Sequence, residues 1–314
     1  MFVSGPPAVP PARRDLHLVR AARRTFSGPA GFLADPASRA RVGRYLADMT
    51  RPYGQEVPAD LPGGPLSPEL GQSYGEMAEA LIGPAVWPDE PVDLLVLAFS
   101  IHDLWPGRPA AAYLSHLTPG APMAFALCDQ GSAAAFSGLR IAREYVSSAG
   151  LRRALLIVVE QAALPYRSPV PLPSQHQAVA MLYGDGDGDG DGEAGGSDSG
   201  SGRPQARVTG LRQHPGVLPG EAAVLAAAGL KELAASHDEV GLVLSGTLAE
   251  VWAAPAAGRV RVMPPGQPST GVWWGLIDEL AGETGRPGLV VAADYDPGLG
   301  YLCLAAFETG PRPG

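Results

Sequence analysis

Cys128 and Ser132 stand four residues apart at a turn where a nucleophile would have chemistry to do. MAFAL (123–127) is a short apolar run, read as a buried strand, and Asp129-Gln130-Gly131-Ser132 supplies turn residues. Ala133 to Val146 then spaces Phe136, Leu139, Ile141, Ala142, Tyr145 and Val146 as a helix does. A strand entering a helix through a polar turn presents the turn's side chain at the positive helix end, where a nucleophile or developing anion is stabilised. A thiol there is a few per cent thiolate at neutral pH, and the helix end raises that fraction. A hydroxyl gains little from the dipole and needs a positioned base. Each residue also has a structural use: Ser132 as a helix N-cap, Cys128 as a small buried hydrophobe at a strand end.

The elements that would position this turn alternate along the chain. VDLLVLAFS (92–100) reads as a buried strand, Pro109 to Leu117 as a helix, and ALLIVV (154–159) as a second buried strand. AVAMLY (178–183) and ARVTGLR (206–212) are further strands. Between them lies GDGDGDGDGEAGGSDSGSGRP, whose acidic repeats lack the fixed spacing and bidentate carboxylate of a calcium loop, so a mobile hairpin loop over 184–204 is expected. The C-terminal third repeats the plan: strand VGLVL (240–244), helix Ser269 to Leu280, then strands GLVVAADYD and GYLCLAAFE joined at Pro297-Gly298. Residues 1 to about 90 are Pro-rich and loosely patterned, apart from a helix expected over Ser67 to Ile82 with Ser67 as N-cap and Pro68 at its first position. Alternating helices and apolar strands imply an α/β fold with a largely parallel buried sheet, built as two related halves, 1–215 and 216–314.

Composition narrows the function. The 314 residues carry 23 Lys and Arg against 32 Asp and Glu, a net charge of -9 that argues against a nucleic-acid surface. The basic residues cluster at Arg13, Arg14, Arg20, Arg23 and Arg24, read as a solvated helix face. No run approaches the roughly 20 apolar residues of a membrane span. The opening MFVSGPPAVPPARRD has no apolar core of secretory length, and Cys128 and Cys303 both lie in apolar runs, so a reducing cytoplasm is expected rather than a disulfide framework.

In this order and spacing the segments resemble the β-ketoacyl-acyl-carrier-protein synthase III branch of the thiolase superfamily, over roughly Ser67 to Glu308. VDLLVLAFSIHDLWPGRPAAAYLSHL resembles its strand, loop and dimer-side helix, GSAAAFSGLRIAREYVSSAG its nucleophile helix, and GYLCLAAFE its closing strand. The resemblance implies a five-layered α-β-α-β-α fold of two pseudo-symmetric halves, and a dimer. It also implies a cysteine nucleophile that takes an acyl group from coenzyme A or an acyl carrier protein, with His and Asn promoting decarboxylation of a malonyl unit. Matching Ala142, Tyr145 and Val146 to the family helix puts Ser132 at the nucleophile position and leaves Cys128 as the alternative. The segment that normally carries the His reads VGLVLSGTLAEV, with Ser245, Gly246 or Thr247 at the place of the imidazole. The Gly-Asn-Thr-Ser segment reads Gly266-Gln267-Pro268-Ser269-Thr270, so Gln267 keeps an amide one methylene longer. Of His17, His102, His116, His176, His214 and His237, His102 is the best replacement base, in the loop after a central strand and beside Asp103. Leu104, Trp105, Trp273 and Trp274 would line an acyl pocket or plug it.

Loss of the decarboxylation pair weighs against condensation. Two readings lead, with a true condensing synthase third. The first is an acyltransferase that moves an acyl group from coenzyme A or a carrier protein in polyketide or related natural-product assembly, through Ser132 or Cys128. The second is a catalytically silent ketosynthase-like subunit that dimerises with an active synthase. The partners implied are an acyl carrier protein or coenzyme A thioester and a second chain, identical or related. No metal or redox cofactor is indicated, nor any nucleic acid or membrane.

Overall fold

A computed structural model describes residues 15–28, 30–54, 71–103, 109–164, 171–184, 206–254, 258–282 and 287–310. Its first half of elements runs β1 (His17–Phe26), α1 (Pro36–Thr50), α2 (Tyr74–Ala85), β2 (Leu94–Ala98), α3 (Ala110–Leu117), β3 (Met123–Leu127), α4 (Ala133–Ser148), β4 (Arg153–Glu160) and β5 (His176–Gly184). The second runs β6 (Ala206–His214), α5 (Pro219–Leu233), β7 (Val240–Leu244), α6 (Gly246–Val251), β8 (Arg259–Val262), α7 (Gly271–Ala281), β9 (Leu289–Asp296) and β10 (Tyr301–Thr309).

All ten strands join one sheet in the order β3-β2-β4-β5-β1-β6-β10-β9-β7-β8. Read outward from the centre, β1-β5-β4-β2-β3 on one side is matched by β6-β10-β9-β7-β8 on the other. The pairing directions match too: β2 is parallel to β3 and β4, as β7 is to β8 and β9, and the remaining pairs are antiparallel. Pseudo-symmetric halves are therefore present, but the sheet is mixed rather than largely parallel, because β5 and β10 return antiparallel to the strands before them.

Strand alternation builds the layers. Leu94, Val96, Leu156 and Val158 face inward to α4 and α7, as do Val243, Val290, Ala292 and Ala305 from the other half. Their neighbours Leu95, Leu97, Leu155 and Ile157 face outward beneath α2 and α3. Leu242, Leu244, Val291 and Leu304 do the same beneath α5 and α6. Five layers, α-β-α-β-α, result. Phe136 of α4 and Trp273 of α7, both fully buried, meet in the central layer with ring centroids 4.7 Å apart. Burying each large apolar side chain of this kind contributes about 1.5–3 kcal/mol.

Several expectations are corrected. Arg20, Arg23 and Arg24 lie on β1, a strand in the middle of the sheet, not on a helix. Their guanidiniums lie over Trp87, Trp274 and Phe26 at 4.9, 4.6 and 5.2 Å from the ring centroids, which lets charged side chains accompany a central strand. Helix α2 begins at Tyr74 with Ser73, not Ser67, as its cap. The Ser73 hydroxyl accepts the Glu76 N–H at 3.2 Å, and the Glu76 carboxylate accepts the Ser73 N–H at 2.9 Å, a reciprocal capping box. Ser67 and Pro68 lie outside the described residues, as does the Gly/Asp tract beyond Gly184, which closes β5. MAFAL forms β3, yet it is an edge strand with Met123 and Ala126 exposed.

Candidate active site

At the carboxyl end of β3 the chain turns through Asp129 (φ +61°) and Gly131 (φ +52°) into α4. Ser132 stands at the cap position with helical backbone angles, and its hydroxyl caps nothing. The Ala133 and Ala134 N–H groups are taken up within the turn, by the carbonyls of Gln130 and Gly131. The Ser132 N–H instead donates across the seam to Asp296 Oδ2 at 3.2 Å. Ser132 is only 7 % exposed, and its hydroxyl is among the groups that hold down the pKa of the buried Asp294 carboxyl.

Both aspartates come from the end of β9, continuing the inward-facing series Val290, Ala292, Asp294, Asp296. Asp294 is 3 % exposed. Burial pushes its carboxyl above the usual carboxylate range; the neighbouring Ser132 and Ser245 hydroxyls pull it down, and the nearby charge of Asp296 pushes it further up. Ser245, at the place the resemblance gives to the imidazole, N-caps α6 by accepting the Leu248 N–H at 3.2 Å, and its hydroxyl lies 3.1 Å from that of Thr247. Ser132, Ser245, Asp294 and Asp296 thus converge at one point of the seam. Among the described residues, the side chain bonded to Ser132 is the Asp296 carboxylate, on its N–H, and not an imidazole.

The other candidates lie apart from this cluster. Cys128 ends β3, half-buried, with its Sγ 3.3 Å from Asp129 Oδ2; burial, then the Asp129 carboxylate, push its thiol up, away from thiolate. His102 is exposed in the loop after β2. The Asp103 carboxylate beside it serves the backbone and an amide, accepting from the Tyr74 N–H at 2.9 Å and the Gln161 side chain at 3.1 Å. His176, at the start of β5, accepts the Ala162 N–H on Nδ1 at 3.1 Å, and burial lowers its pKa. Trp273 packs in the core and Trp274 lies beneath Arg23; Leu104 and Trp105 fall outside the described residues.

Gln267 belongs to a second polar cluster, at the N-terminus of α7. Its amide donates to Glu160 Oε1 at 2.9 Å and Gln177 Oε1 at 3.0 Å, while its own oxygen accepts the Gln175 N–H at 2.9 Å. Glu160, 1 % exposed at the end of β4, also accepts the N–H groups of Ser269 at 3.0 Å and Thr270 at 3.1 Å, with the Thr270 hydroxyl against it. Burial outweighs these donors and raises its pKa to about 7.

Sequence reasoning missed Asp294, Asp296 and Glu160. Their signal was present: an acid that continues the inward-facing alternation of an apolar strand has to find partners in the core.

No family model matches this sequence, and no curated protein does either. Among solved structures, the tetronic acid condensing enzyme AbyA1 superposes with a TM-score of 0.57, covering 94% of this chain and 100% of that one at 16% identity. The 3-oxoacyl-(acyl carrier protein) synthase III, FabH, from Pseudomonas aeruginosa PAO1 gives 0.56, 96% and 100% at 14% identity. The chain has the thiolase fold. A type II polyketide synthase complex, AntDE:AntF, in which an acyl-carrier protein is bound to its ketosynthase, superposes at 0.55 with 12% identity over 94% of this chain and 99% of that chain. At these identities the likeness is one of fold. In this chain's version of the thiolase fold the mouth of α4 holds a serine and two carboxylates.

Proposed function

We propose that this chain is a ketosynthase III-like subunit of a polyketide or related natural-product assembly system, which pairs with an active ketosynthase and does not itself carry acyl groups. The observation that carries this reading is the Asp296 carboxylate on the Ser132 N–H. Acyl transfer to a residue at a helix mouth needs that N–H for the oxyanion, and a fixed negative charge there opposes the developing one. The fold shared with condensing enzymes and with an acyl-carrier-protein-bound ketosynthase supports the assembly context.

A second reading keeps the chain as an acyltransferase with Ser132 as acyl carrier. It is favoured by the buried Asp294 carboxyl, which shares a face of β9 with Asp296 and would supply a proton acceptor near the nucleophile. Reconstitution separates the two. With a partner ketosynthase and carrier protein, product formation is expected to require this chain and to survive Ser132→Ala unchanged. Abolition by Ser132→Ala would replace the first reading with the second.

A further inference from the structure

Both helices of the central layer have their N-termini closed by a carboxylate that arrives from the opposite half. Glu160, last residue of β4, receives the N–H groups at the start of α7. Asp296, last residue of β9, receives the N–H at the start of α4. The pseudo-symmetric fold therefore uses one device twice, and each acid is favoured by the positive helix end it caps.

The turn into α4 is shaped around this contact. A Cβ on Gly131 would lie 1.8 Å from Asp296 Oδ2, so the glycine leaves room for the carboxylate. The other oxygen, Asp296 Oδ1, is fixed by the N–H groups of Gly298 at 3.0 Å and Leu299 at 3.1 Å. One difference separates the two caps. At α7 the Thr270 hydroxyl is taken up by Glu160 and Gln177. At α4 the Ser132 hydroxyl caps nothing, and the next side chain back along the same face of β9 from the capping acid is a second acid, the buried Asp294. Ser132 thus has a buried acid as neighbour, and its N–H is not free for an oxyanion.

We propose that Asp296 is an autoinhibitory carboxylate, seated on the N–H that a thioester carbonyl oxygen would need, and that Asp294 is the base Ser132 uses once that N–H is free. This rests on the reading of the wild-type chain as silent at Ser132. With the N–H open, Ser132 Oγ attacks the thioester carbon and its proton passes to Asp294, while the oxyanion takes the Ser132 N–H. Collapse breaks the C–S bond, the departing thiolate recovers the proton from Asp294, and an ester on Ser132 and a free thiol remain.

The test is intact-mass and peptide analysis of the full chain incubated with octanoyl-coenzyme A. Asp296→Ala is expected to acquire one octanoyl group on Ser132 under conditions that leave wild type unmodified, at a rate at least about 100-fold above the limit wild type sets, the scale of one oxyanion donor. Adding either Ser132→Ala or Asp294→Asn to it should remove the adduct. Asp296→Ser, whose shorter hydroxyl can still accept within the turn but no longer places a carboxylate on the Ser132 N–H, serves if the alanine variant melts non-cooperatively, with the same gain expected. A folded variant that stays unacylated, or one acylated no faster than wild type, overturns the proposal. Acylation of wild type at Ser132 would instead overturn the silent reading on which it rests, whatever the variants do.

Discussion

Replacing Glu160 by glutamine is expected to flatten the pH dependence of stability between about pH 5 and pH 8. Burial raises the folded-state pKa of this carboxyl from 4.5 to about 7. A raised carboxyl pKa means the fold prefers the protonated form, so its contribution is full below the unfolded-state value and is lost as pH rises through the folded-state value. With each pKa unit equivalent to about 1.4 kcal/mol, the wild type loses about 2.5 kcal/mol from this group over that interval. For a chain of this length the unfolding entropy converts that to a fall of about 4 °C in Tm beyond whatever the rest of the molecule does. Glu160→Gln keeps an oxygen to accept the Ser269 and Thr270 N–H groups but cannot ionise, so it should lack this component. The assay is thermal melting of both proteins across the interval. Parallel pH profiles would refute the reasoning. A wild type that gains on the glutamine variant as pH rises would show that the donors at the α7 N-terminus outweigh burial.

The remaining predictions concern packing, backbone, reactivity and capping. Phe136→Ala removes the ring that meets Trp273 in the central layer and should cost about 3–5 kcal/mol in denaturant unfolding. Gly131→Ala places a Cβ against Asp296 at a positive φ and should lower stability by at least about 1–2 kcal/mol, read as a drop in Tm. Cys128, with its thiol pushed up, should react with iodoacetamide at neutral pH more slowly than an unstructured cysteine peptide, and Cys303, buried and pushed to about 12, should react only on unfolding. Ser73→Ala removes the α2 capping box and should cost about 0.5–2 kcal/mol by melting.

The sheet and its central helices were legible because they obey simple periodicities. LLVLA and ALLIVV are apolar on both faces and too short for helices, and α4 carries its apolar residues on one side. Strand β1 was not legible, since HLVRAARRTF holds its central place with arginines laid over aromatics distant in sequence. Helix α5 was missed because PGEAAVLAAAGLKEL buries small residues (Ala222, Ala226, Gly229) rather than a large apolar stripe. A Cβ on Gly229 would meet Leu304 of β10 at 3.4 Å, an ordinary contact distance. The polar site was half legible. The turn before α4 gave Ser132, but its partners lie 162 and 164 positions away, on a strand read as apolar, and only strand pairing across the seam brings them to it.

The central claim is that a carboxylate from the opposite half closes the α4 helix mouth to acylation. It is tested most directly by the intact mass of the wild-type chain after prolonged incubation with octanoyl-coenzyme A. An unmodified chain of 32.4 kDa is expected. A single added octanoyl group, mapped to the peptide that holds Ser132, would contradict it.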